Sequence, residues 1–136
     1  MLTRTASVLI ASLAAAGLFA AAGIVLRSKL RFSRTAVVVG VLHLAAVLAN
    51  AVATEVAMLR PGPSEALMGW LWFDLVDFPS SVLQILLGAA LRNFLLREVL
   101  LPILFYGVLG SLQYLVLAEL LVRFRLRWRI QEDRVE

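Results

Sequence analysis

The sequence predicts an all-α integral membrane protein built as a bundle of four transmembrane helices, with three spans plus an interfacial or re-entrant segment as the alternative. Three observations carry this. The 136 residues are 62% hydrophobic with a mean hydropathy of +0.92, well above the roughly half-apolar composition of soluble domains. The apolar residues fall into long runs, and a transmembrane helix needs about 20 of them to cross about 30 Å of hydrocarbon. The 13 Lys and Arg cluster at the ends of those runs, where cationic side chains meet headgroups and fix topology.

That placement also sets nucleic acid aside as a partner, despite a net charge of +4 and a pI near 10.7. There are no cysteines, so disulfides and thiolate metal sites are excluded. A single histidine cannot build a multi-histidine centre, and no metal site is expected.

The chain reads as one transmembrane domain over 1–136, with helices at about 5–26, 36–59, 70–91 and 99–122 and a basic tail at 123–136. The first run, "TASVLIASLAAAGLFAAAGIVL", follows Arg4 and carries small residues near its end, as a signal peptide does. Its apolar length exceeds a signal core, so an uncleaved first helix is expected. Ala36 to Leu59 and Val99 to Val122 are clear spans. Trp70 to Leu91 is long enough but contains Asp74, Asp77, Pro79 and Gln84. Short connections separate the runs: "RSKLRFSR", "RPGPSEALMG" with two helix-breaking prolines, and "RNFLLRE". The tail alternates Arg with apolar residues and suits the lipid interface.

Four spans would place seven basic residues on one side and six on the other, which barely selects an orientation. Laying residues 66–98 in the interface, or making them re-entrant, gives three spans with nine basic residues against four. The full length of 70–91 favours four spans, and the dense C-terminal arginines favour a cytoplasmic C-terminus in a bacterial inner membrane.

At 100° per residue, Trp70, Asp74, Asp77, Ser81, Gln84, Gly88 and Arg92 fall within about 80° of arc on the third helix. Such a stripe avoids lipid and turns toward other helices or a wet cavity. His43, Asn50 and Thr54 share a face of the second helix, and Tyr106, Gly110 and Gln113 a face of the fourth. Depth counted from the helix ends puts Asn50, Thr54, Asp74, Asp77 and Gln113 in one layer, and His43, Gln84 and Tyr106 in another.

These eight residues are the polar-core or ion-binding candidates. In one reading Asp74 or Asp77 binds a proton or cation. In the other, a snorkelling Arg4, Arg60 or Arg123 neutralises a carboxylate close to the interface and only holds the bundle together. Asp77 before Pro79 also suits a helix cap. His43 alone offers one axial position for a haem or chlorophyll-type pigment, but no second ligand or attachment motif accompanies it, and no cofactor is expected. Gly107, Ser111, Tyr114 and Ala118 form a small-residue packing stripe, and Ala11, Ser12, Ala15, Ala16, Ala20 and Gly23 another on the first helix. Glu119 and Arg123 are placed to pair.

The segments "FDLVDFPSSVL" (73–83) and "FYGVLGSLQYLVLAELLVRFR" (105–125) together resemble a pattern in small uncharacterised four-span bacterial membrane proteins. There an Asp-Phe-Pro-Ser element precedes a late helix carrying Gly-Ser/Thr-Leu-Gln/Trp-aromatic. The resemblance covers about a third of the chain, implies four spans and implies no activity.

No nucleophile and base pair, metal-ligand cluster or phosphate loop is recognisable, so an enzyme is not expected. The leading expectation is a non-enzymatic membrane protein acting by helix association, as a homo-oligomer or an accessory subunit of a membrane complex. The alternative is a minimal proton- or cation-coupled transporter or channel working as a dimer. The partners expected are membrane lipids, a second copy, or other membrane subunits.

Overall fold

The computed structural model describes residues 2–58, 68–90 and 100–132. All elements among them are helical: α1 (Leu2–Leu30), α2 (Arg34–Met58), α3 (Met68–Val76), α4 (Ser80–Ala90), α5 (Leu101–Leu104), a π-helical segment (Phe105–Gly110) and α6 (Ser111–Glu132). The last three run on without interruption. Thr5–Leu30, Arg34–Met58 and Leu101–Gln131 are each long and apolar enough to cross a membrane.

These three form the body of the bundle. The buried positions of α1, Val8, Ala11, Ala15 and Phe19, recur every three or four residues, the spacing that keeps one helix face inward. Those of α2 do the same from Ala36 through Gly40, Leu44, Val47 and Ala51. Leu9, Ile10, Leu13 and Leu18 on the outer face of α1 are more than half exposed, as lipid-facing positions are.

Polar locks set the directions. Ser33 precedes α2, and its Oγ accepts a bond from the Ala36 N–H at 3.2 Å. The Ser33 N–H in turn donates to Glu119 Oε2 at 2.7 Å. The other oxygen of Glu119 accepts from Arg123 Nε at 2.7 Å, and Arg123 Nη2 donates to the Leu30 carbonyl at 3.1 Å. Arg31 turns the chain between α1 and α2 with φ of 54°. At the opposite end Thr5 Oγ1 donates to Glu55 Oε1 at 3.1 Å. Thus α1 and α6 run parallel and α2 runs against both. One end, termed here the arginine end, holds the α1–α2 turn and the end of α6. The other is the mouth end.

The segment expected to be a fourth full span is divided instead. Residues 77–79 form a turn between α3 and α4, which have 9 and 11 residues. At 1.5 Å per residue each reaches only about half of a 30 Å hydrocarbon layer. Their contacts show that the chain doubles back. On α3, Gly69 lies against Asn50, and Val76 reaches Tyr114. On α4, Ser80 starts beside Gln113 and Gln84 has returned to Tyr106, so that α4 packs along the π segment and α5. Both legs therefore open toward the mouth end. Pro79 has no N–H to continue the helix, and the Phe78–Pro79 peptide is cis.

The packing residues read from the sequence divide. Gly107 brings α1 close, since a Cβ there would stand 3.3 Å from that of Ala15. Ser111 is fully buried, and Ala118 packs beside the Phe19–Leu115 cluster. Ala20 is exposed and Gly23 faces open space, so the first-helix stripe ends at Phe19 and does not extend to Gly23.

Three spans put the start of α1 and the end of α6 at opposite faces. Single cysteines replacing Thr3 and Asp133 are expected to react with an impermeant thiol reagent from opposite sides of sealed vesicles. Labelling of both from one side would restore the four-span arrangement.

Candidate functional site

The tip of the α3–α4 hairpin lies in the middle of the bundle, and the polar side chains gather around it. Asp77 is 0% exposed. Its Oδ1 stands 2.9 Å from His43 Nε2 on α2, an ion-pair distance, although neither carboxylate oxygen receives a well-aligned hydrogen bond. His43 Nδ1 lies 3.1 Å from Ser111 Oγ on α6. The imidazole stacks on Tyr114 with centroids 4.5 Å apart, and the edge of Phe73 meets it at 5.8 Å.

Beside this pair lies a second group. The Tyr106 hydroxyl donates to Asp74 Oδ1, and Gln84 Oε1 is 3.1 Å from the same hydroxyl. One phenolic proton cannot serve both acceptors. With the Gln84 amide turned over, its NH2 donates to the phenol oxygen and all three groups are satisfied. Phe73 stacks on Tyr106 at 5.9 Å, and Trp70 leans on it at 5.9 Å, so aromatic rings fill the space around the carboxylates.

The backbone of the tip is held by α6. Gln113 Nε2 donates to the Phe78 carbonyl at 2.6 Å, and the Tyr114 hydroxyl donates to the Val76 carbonyl at 3.1 Å. The Asp77 carbonyl accepts from the Ser81 N–H at 3.0 Å and the Ser80 hydroxyl at 2.5 Å. The Asp77 carbonyl thus accepts the first helical bond of α4, and its carboxylate does not cap the helix. The side chain is left free to face His43.

Glycines in the π segment make the approach possible. A Cβ on Gly110 would come within 2.9 Å of Asp77 Cγ and 3.0 Å of His43 Cε1. The wider π turn accommodates one extra residue and so rotates the start of α6 relative to α5. Tyr106, Gly107 and Gly110 are carried inward together.

The structure brings six of the eight polar candidates into one neighbourhood: His43, Asp74, Asp77, Gln84, Tyr106 and Gln113. Asn50 lies at the mouth-side edge, beside Gly69. Thr54 is buried but about 16 Å along α2 from His43 at 1.5 Å per residue. The expected two layers are not found, because their heights were counted along a full-length third span. Once the chain turns back at 77–79, Asp77 meets His43 and Asp74 meets Gln84 and Tyr106.

Of the arginines proposed as counter-ions, Arg123 is bound to Glu119 and Leu30 at the arginine end and not to either aspartate. The Arg4 side chain and Arg60 lie outside the described residues. His43 Nδ1 is paired with Ser111 and Nε2 faces Asp77, so axial ligation of an iron or magnesium would displace one or the other. Among the described residues no group of three or more acidic or imidazole side chains is placed to hold a metal ion. Sequence reasoning missed Ser111 as the partner of His43 and Gly110 as the floor under Asp77. For Gly110, its place on the face of Tyr106 was the available signal.

No protein-family profile matches the chain, nor does any curated protein or any solved structure.

Gly110→Ala is expected to lower stability in detergent by about 1–3 kcal/mol, the usual cost of overpacking a fixed interior. Gly17→Ala, which meets open space, is expected to gain up to about 1 kcal/mol from helix propensity. Thermal unfolding of the two variants checks the contrast.

Proposed function

We propose that the protein is a proton-binding membrane protein in which the buried Asp77–His43 pair takes up and releases a proton, and in which that change alters how the hairpin tip is held. The observation that carries this reading is the fully buried Asp77 carboxylate facing an imidazole. An arginine partner would have stayed charged at every physiological pH and made the pair a structural fixture. A histidine partner can be neutral or charged, and ionisable groups held within a membrane default to functional roles.

The surroundings suit both charge states. With a proton on Nε2 facing Asp77, Nδ1 accepts from the Ser111 hydroxyl when the ring is neutral and donates to it when the ring is charged. A hydroxyl serves as acceptor or donor by rotating. The tip itself hangs on two side chains, Gln113 and Tyr114, and Tyr114 is also stacked on His43. A change of charge on the ring therefore reaches one of the contacts that hold the hairpin. Nine basic residues at the arginine end against four at the mouth end favour a cytoplasmic arginine end, in a bacterial inner membrane.

One observation favours association as a second reading. Because the hairpin returns halfway, the outer face of α6 beyond its tip has no neighbour among the described residues. An open apolar groove of about 800 Å³ runs there between Pro79, Leu83, Leu112, Val116 and Leu117. A helix of a second copy or of another membrane subunit would fit it.

In weakly buffered detergent solution, acidification is expected to bind about one proton per chain to the pair, counted as a unit. Asp77→Asn, nearly isosteric, is expected to lose that proton while keeping cooperative unfolding. Equal uptake by the folded variant would sink the reading.

A further inference from the structure

We infer that protons reach the Asp77–His43 pair from the mouth end only, along the polar side chains gathered between the two legs of the hairpin, and that the arginine end is sealed. This rests on the proton-binding reading above and adds the side from which the site is addressed.

The polar groups lie to one side of the pair. Toward the mouth come Asn50 and Trp70, whose Nδ2 and Nε1 are buried without a hydrogen-bond partner. Trp70 leans on Tyr106, where Asp74, Tyr106 and Gln84 meet. Asp77 ends the series, with both carboxylate oxygens lacking an aligned donor. Orphaned donors at one end and orphaned acceptors at the other, joined by a phenol, an amide and a carboxylate, form a path that water completes. Buried polar groups without a protein partner are served by ordered water, and hydrogen-bonded chains of this kind pass protons.

The opposite side has neither polar groups nor room. Between the pair and the arginine end stand Phe19, Ala36 and Leu115, all buried, and Leu44 beside His43 belongs to the same cluster. Packing there is tight at Gly40, where a Cβ would come within 2.8 Å of Phe19 Cζ and 3.0 Å of Leu115 Cβ. Beyond this layer Ser33, Glu119 and Arg123 are tied to one another at the helix ends. The ionisable groups around Asp77 come from each neighbour in turn: His43 from α2, Asp74 from α3, Tyr106 from the π segment and Tyr114 from α6. The described parts of α4 and α5 supply none, and the described side chains of α1 supply Arg27 and Lys29 at its far end. Proton binding is thereby tied to the acidity of the mouth-side solution, and carriage across the membrane would require the Phe19–Leu115 layer to open.

Because the chain has no cysteine, single thiols report access cleanly. In sealed vesicles, Ser81→Cys and Gln84→Cys are expected to react with a small impermeant methanethiosulfonate from the mouth side alone, and Leu44→Cys and Leu115→Cys from neither side. Reaction of any of the four from the arginine side would overturn the seal. The unmodified protein gives a second measurement: the infrared carboxyl band that Asp77→Asn removes, followed in unidirectionally reconstituted vesicles while the pH of one side is changed. A band that follows the mouth-side pH alone supports the inference. A band that follows the arginine-side pH overturns one-sided access but keeps proton binding. A band that follows neither removes the proton-binding reading beneath it.

Discussion

A chain that stops being helical inside a bilayer exposes carbonyl oxygens that no water can satisfy, and such a break survives only where the protein itself supplies donors. Here the break falls at Asp77–Pro79, and α6 supplies the donors. Gln113 binds the Phe78 carbonyl, Tyr114 binds the Val76 carbonyl, and Ser80 and Ser81 close on the carbonyl of Asp77. Each orphaned group left buried would cost about 1–3 kcal/mol, so without these bonds the hairpin would not hold its tip at this depth. The rest of the architecture depends on that tip.

One consequence is the position of the carboxylate. The Asp77 side chain does not cap α4 and is turned inward against α2 and the π segment, where Gly110 leaves the space that a methyl group would fill. The bundle thereby holds two acids at the same depth in different company, Asp74 under a phenol and an amide, Asp77 beside an imidazole. Their differing partners, and not their sequence context, separate their chemistry. Glu119, like Glu55, is another buried acid. Bound to Arg123 and the Ser33 N–H, it is the fixed kind of pair that joins three helices at the arginine end.

The three long helices were legible in the sequence because apolar length and flanking arginines report directly on spanning. The hairpin was hidden by the same measure, since 22 apolar residues make one span or two half-length legs with equal hydropathy. What distinguished the cases was chemical. Pro79 removes a donor, Ser80 and Ser81 start helices well, and the count of basic residues moves from nearly even to nine against four once the segment returns to its own side. Reading Asp77 as close to the interface, and hence as a partner for arginine, was the same error propagated through a count of depth. His43, Tyr106 and Gln113 were recognised by type and face. Ser111 was read only as a small packing residue, because a serine in an apolar helix bonds its own backbone as readily as a neighbour.

The hairpin underlies the buried pair, its one-sided access and the open groove alike, and one distance tests it most directly. Leu71 and Ala90 are both on the outer surface, so spin labels at cysteines introduced there leave the polar core intact. Nineteen residues of continuous helix would hold the two backbone sites about 28 Å apart. In the hairpin they occupy neighbouring legs that leave the bundle at the same end, and a pulsed electron paramagnetic resonance measurement is expected to give a mean separation under about 20 Å, near the spacing of packed helices plus the label arms. A narrow distribution centred near or above the longer value would contradict the hairpin and return residues 70–91 to a single membrane span.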